Sequence, residues 1–124
     1  MSARNAAPFI AETIESVLNQ SFTDFEFLMV NNASTDDTGA IMQQYAARDA
    51  RISVIQHPVS GWTAAVNAAM RAAKYGWIAR IDADDVMLPN RLERQLQAIQ
   101  QEPDVILWGS YAYRSEERRV GKEC

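Results

Sequence analysis

The chain has 124 residues, 48% of them apolar and 23% charged, with a formal charge of −4; this describes one globular domain with room for a core. Such acidity argues against a nucleic-acid partner, which calls for clustered basic residues. No apolar run reaches the ~18 residues of a membrane span and no charged-then-apolar leader opens the sequence, so no membrane segment is expected, and the expected location is the cytoplasm or the cytosolic face of a membrane.

Taken in order, Asn5 and Pro8 signal a helix start, and Phe9, Ile10, Thr13, Ile14, Val17 and Leu18 then recur at helical spacing. Residues 25–30 read as a mostly buried strand. A polar turn follows over 31–38, in which Ser34 and Asp37 have the spacing of a capping box for a helix over about 36–48. Residues 52–55 are the next strand. Residues 63–74 form an alanine-rich helix, stopped by Gly76, whose Ala64, Ala65, Ala68 and Ala69 allow close approach to a sheet. Residues 77–81 read as a strand, Pro89 opens a further helix, and 105–108 read as a last strand with Trp77 and Trp108 in the core. Alternating helices and strands define an α/β fold with a mainly parallel sheet flanked by helices, in which ligands bind at the carboxyl ends of the strands.

Both polar loops, 31–38 and 82–85, fall at those ends. The second is Asp82-Ala83-Asp84-Asp85, three carboxylates in four residues. Such a cluster suits a hard divalent cation together with a phosphate ligand; it equally suits a solvated loop in which Asp84 or Asp85 caps the next helix. In an extended segment Asp82 and Asp84 would face one way and Asp85 the other. Cys124 and His57 are the sole cysteine and histidine, which rules out a thiolate cluster and most zinc sites. His57 reads as an exposed loop residue, Trp62 as a possible ligand contact, and Arg91 and Arg94 as solvated helix residues. Asn67, a poor helix former inside a helix, either supports a local hydrogen-bond network or faces a ligand.

The ordered set of Asn5 with Pro8-Phe9-Ile10, residues 16–26, Ser34-Thr35-Asp36-Asp37-Thr38, Gly61 with Asn67, Asp82-Ala83-Asp84-Asp85 and residues 89–95 resembles the N-terminal half of family 2 glycosyltransferases, over about residues 5–113. The resemblance implies a GT-A, Rossmann-like nucleotide-diphospho-sugar-binding half. It also implies metal-dependent, inverting transfer of a sugar from a UDP-sugar or similar donor to a carbohydrate or lipid-linked acceptor, in the setting of polysaccharide biosynthesis. Mg or Mn would be held by Asp84 and Asp85, with Asp84 near the diphosphate and Asp82 on the ribose or a metal-bound water. Asn32 and Asn67 would contact the donor. Asn31, Asn32 and Ala33 stand where the family has Asp, Asp and Gly, so a charge-assisted contact to the base is replaced by an amide.

The same comparison implies that residues 1–113 are a partial donor-binding domain lacking its first strand and its C-terminal half, with the general base outside this chain and the fragment inactive by itself. Residues 114–124 resemble a translated sequencing adapter and are expected to be non-native. Two other readings stay open at this point, a nucleotidyltransferase-like enzyme and a non-catalytic nucleotide-sugar-binding module.

Overall fold

The computed structural model describes residues 1–110; the expected adapter-like tail lies outside the described residues. Its elements are β1 (Ser2–Ala3), α1 (Ile10–Leu18), β2 (Phe27–Asn32), α2 (Thr38–Arg48), β3 (Ile52–His57), α3 (Trp62–Ala72) and α4 (Arg91–Gln101). The three strands form one parallel sheet in the order β1-β2-β3. The register pairs Ser2 with Val30 and Phe27 with Ile52. Met1 to Arg4, expected to fall short of a strand, thus supply a two-residue edge, and Val30 N–H donates to the Met1 carbonyl at 2.9 Å.

The sheet is covered on both faces. Met29 and Val30 are neighbours in β2, so their side chains point to opposite faces, and both are fully buried. Helices α1 and α2 pack against each other, as expected of two crossovers of the usual right hand running in one direction; α3 packs against the strands as well. Helix α1 is driven onto the core by Ile10, Ile14 and Val17, spaced four and three residues apart and all buried. Burying each of these contributes about 1.5–3 kcal/mol.

The expected strands at 77–81 and 105–108 are not formed. A strand needs a ladder as well as an apolar run, and the β1 edge of the sheet, where residues 77–81 would add, offers only two residues. Trp77 and Ile78 are about half exposed as a result, and Trp77 is not core. Ile106 and Leu107 are exposed. Trp108 keeps a buried indole N–H without a hydrogen-bond partner.

The chain divides into two compact units, Met1–Arg94 and the residues from Gln95 onward. In the second unit the described part is the remainder of α4 and an irregular segment, in which Val105 N–H donates to the Glu102 carbonyl at 3.1 Å.

Two helix ends also depart from expectation. The α2 start is not a capping box. Asp37 occupies the N-cap without a side-chain hydrogen bond, and Asp36 accepts from the Thr38 N–H at 3.0 Å and hydroxyl at 2.5 Å. Helix α3 stops at Ala72 rather than near Gly76, because Ala73 turns extended and the next N–H, of Lys74, donates to the Glu26 carboxylate at 2.6 Å.

Candidate functional site at the carboxyl ends of the strands

The first loop of the site leaves β2 at Asn31 and Asn32. Ala33 then adopts φ 53°, in the left-handed region that glycine favours. Its N–H donates to the His57 carbonyl at 3.0 Å, so the kink is tied to the end of β3. Asn31 accepts from Ser34 N–H at 3.2 Å and donates to Gln56 Oε1 at 2.9 Å. Asn32 is buried, and its side-chain oxygen accepts the Gly61 N–H at 3.1 Å, just before α3. The side-chain carbonyl of Asn32 is therefore engaged by the backbone, leaving the amide nitrogen as the donor on the other arm.

The turn between β1 and α1 is fastened to this loop. Asn5, at φ 50°, accepts from Thr35 N–H at 2.8 Å. The N–H groups of Asn5, Ala6 and Ala7 donate to Ser34 Oγ, Thr38 Oγ1 and Asp36 Oδ2 at 3.1, 2.8 and 3.2 Å. The Thr38 hydroxyl, which donates to Asp36, and the N–H groups of Thr38 and Ala7 hold the Asp36 carboxyl below its ordinary pKa by favouring the anion.

The second loop is the acidic stretch, and it is a tight turn rather than an extended segment, closed by Asp85 N–H to the Asp82 carbonyl at 3.2 Å. Apolar residues anchor it, with Ile81, Ala83 and Met87 all in the buried core. The intervening Asp82 and Asp85 are exposed and Asp84 is half-buried. Asp82 pairs with Arg80 at 2.8 Å, and the Arg80 guanidinium lies 4.7 Å from the centre of the Trp62 ring. The two loops are thereby linked in a chain of contacts, from Asn32 through Gly61 and Trp62 to Arg80 and Asp82. Trp62, expected as a loop ligand contact, begins α3 and carries an arginine.

Arg91 is not a solvated helix residue. It donates to the Arg80 carbonyl at 3.0 Å, and its Nε is buried without a hydrogen-bond partner. Burial lowers its pKa, opposed by the charge of Asp85, which makes it a cation beside the acidic turn. His57 ends β3 instead of lying in a loop, with Nδ1 2.6 Å from the Val59 carbonyl oxygen. Asn67 is exposed in the middle of α3, and so is Ala64, while Ala65 makes the close approach.

Sequence reasoning missed the groups that hold the acidic turn. Thr13 falls at the helical spacing of the apolar face of α1, yet its hydroxyl donates to the Ala83 carbonyl at 2.9 Å. Ser16 and Gln20 likewise bond to the segment after the turn. The polar row Thr13, Ser16, Gln20 recurs at helical spacing and was the available signal.

For a divalent cation, the donor set is three carboxylates on one turn, one of them already paired with Arg80. Among the described residues no group of three or more histidine, cysteine or acidic side chains is arranged to hold a metal ion unaided. Mg is usually held by one or two carboxylates, with phosphate oxygens and water completing its shell.

A parallel sheet flanked by helices, with an acidic turn and a polar, helix-starting loop beside it, is an α/β domain of the kind that binds ligands at the carboxyl ends of its strands. The chain belongs to the family described as glycosyl transferase family 2, whose sequence profile matches residues 1–123. It is 36% identical over 115 residues to the uncharacterized glycosyltransferase EpsJ of Bacillus subtilis, covering 92% of this chain and 33% of EpsJ. It is 39% identical over 94 residues to the putative teichuronic acid biosynthesis glycosyltransferase TuaG of the same organism, covering 75% of this chain and 37% of TuaG. The crystal structure of S. aureus TarS 1-349 in complex with UDP superposes with a TM-score of 0.77 at 23% identity, covering 90% of this chain and 36% of TarS 1-349, and shares the GT-A fold. The chain spans about a third of the length of these relatives. Among the described residues no helix is long and apolar enough to cross a membrane.

Proposed function

We propose that this chain is the donor-binding part of a glycosyltransferase that moves a sugar from a UDP-sugar to a carbohydrate or lipid-linked acceptor, with inversion at the anomeric carbon. The observation that carries the reading is the acidic turn, clamped to the core by Ile81, Ala83 and Met87 while its carboxylates stay accessible at the carboxyl ends of the strands. Asp84 and Asp85 would hold Mg or Mn, which supplies charge neutralisation for the departing diphosphate. Asp82, turned toward Arg80, suits the ribose or a metal-bound water. Asn32 meets the base through its amide nitrogen, and Asn67 is assigned to the outer part of the donor.

Support comes from the family membership, from TuaG's role as named, and from UDP in the TarS complex. The acceptor base required for inversion is assigned outside this chain, so the chain by itself is expected to bind donor without transferring sugar. Calorimetry with UDP tests the reading. Binding should require Mg or Mn, vanish with EDTA, and fall about 10-fold or more in Asp84→Ala. Equal affinity for UDP with and without metal would sink it.

A further inference from the structure

One face of α1 and the residues just past its end carry Thr13, Ser16 and Gln20, in line with one another at helical spacing. Besides local bonds within α1, each of them bonds to one distant segment, residues 83–92. Thr13, fully buried, donates to the Ala83 carbonyl at 2.9 Å. Ser16 Oγ donates to the Thr13 carbonyl at 2.7 Å and accepts the Met87 N–H at 3.0 Å. Gln20, 3% exposed, donates to the Leu88 carbonyl at 2.7 Å and to the Ser16 carbonyl at 3.1 Å, and accepts the Leu92 N–H at 3.1 Å. The last of these contacts satisfies one of the free N–H groups in the first turn of α4.

Burying a hydroxyl or an amide is unfavourable unless its hydrogen bonds are made. An apolar residue at position 13 would pack α1 equally well. What the polar row adds is a fixed distance and orientation between α1 and the segment that begins with the acidic turn. Thr13 acts on Ala83, the residue between Asp82 and Asp84; Ser16 and Gln20 act on the exit from the turn. We propose that Thr13, Ser16 and Gln20 are positioning residues that hold the acidic turn in the geometry a cation and a nucleoside diphosphate require. The proposal rests on the donor-binding reading above. Sites of this kind tolerate displacements of only about 0.5 Å, so loosening the hold reduces metal affinity before it unfolds the domain.

The test uses the 124-residue chain, with UDP and MnCl2 as probes. Mn binding at saturating UDP is measured by calorimetry for wild type, Thr13→Val, Thr13→Ser and Ser16→Ala, together with thermal unfolding and amide exchange over residues 84–87. Thr13→Val should weaken Mn binding about 10-fold, as loss of a group supporting a metal ligand does, and speed exchange in the turn. Thr13→Ser, which keeps the donor, should restore both. Ser16→Ala should shift them in the same direction, and it carries the test if Thr13→Val does not fold. A folded Thr13→Val that binds Mn as tightly as wild type overturns the proposal alone. A wild-type chain whose UDP binding is indifferent to Mn overturns the donor-binding reading, and the proposal falls with it.

Discussion

The side-chain oxygen of Asn32 accepts the backbone N–H of Gly61 at 3.1 Å, which ties the end of β2 to the start of α3. Asn32 is buried, so the bond cannot be exchanged freely for water. Asn32→Leu leaves the Gly61 N–H without its acceptor and should lower stability by about 1–3 kcal/mol, read as a shifted urea midpoint. Asn32→Asp keeps an acceptor for Gly61 and places a second oxygen where the amide nitrogen now donates. It should therefore fold normally and bind UDP more tightly than wild type, because uracil N3–H requires an acceptor. Unchanged UDP affinity in a folded Asn32→Asp would remove Asn32 from the base site.

Ala33 sits one residue further on, at φ 53°. A left-handed conformation is unfavourable for an L-residue with a Cβ by roughly 1–2 kcal/mol, and glycine escapes that penalty while gaining freedom in the unfolded chain. Ala33→Gly is expected to be neutral to stabilising by up to about 1 kcal/mol, a rare direction for a substitution to glycine. Thermal unfolding decides it, and a clear loss of Tm would show that the Ala33 methyl contributes packing that outweighs the backbone strain.

Where an element depends on its own residues, it was legible in the sequence. Ile10, Ile14 and Val17 announced α1, and the apolar run at 27–30 announced β2. Elements that depend on a remote partner were not. Residues 77–81 have the composition of a strand, but pairing is decided by the length of β1. The choice of Asp36 over Ser34 and Asp37 at the start of α2 is made together with the N–H groups of Asn5 and Ala7, about 30 residues earlier. Similarly, the acidic turn was visible as a cluster of charge, whereas its support by Thr13 spans a separation of 70 residues. Local chemistry exposed the carboxylates of the site and hid what holds them.

Asp36 gives the fold a specific acid sensitivity. Hydrogen bonds from Thr38 and Ala7 favour its ionised form, so its folded pKa lies below the ordinary 3.8. A depressed carboxyl stabilises the fold fully above its unfolded pKa and loses that contribution as pH falls through the folded value. Stability of the wild-type chain should thus drop below pH 3.8, and Asp36→Asn should flatten that part of the profile while lowering stability at neutral pH. Parallel urea titrations of the two proteins across this range provide the measurement; identical slopes would show that other carboxylates govern acid unfolding.

The Arg80 contacts differ in kind from those of Thr13, and a substitution there should behave differently. Both partners of the Arg80–Asp82 pair are more than half exposed, at 56% and 53%, so the pair is screened and contributes under about 1 kcal/mol. The stack on Trp62, itself 54% exposed, adds about 0.5–1 kcal/mol at a site of this kind. Arg80→Ala should therefore leave the domain folded, with a stability loss near 1 kcal/mol that shrinks in high salt as the ion-pair part is screened. A double-mutant cycle with Trp62→Leu isolates the stack, with an expected coupling of about 0.5–1 kcal/mol that salt reduces less. A coupling of zero would mean that α3 and the acidic turn are joined only through the sheet beneath them, and that the chain of contacts from Asn32 to Asp82 carries no energy at its central link.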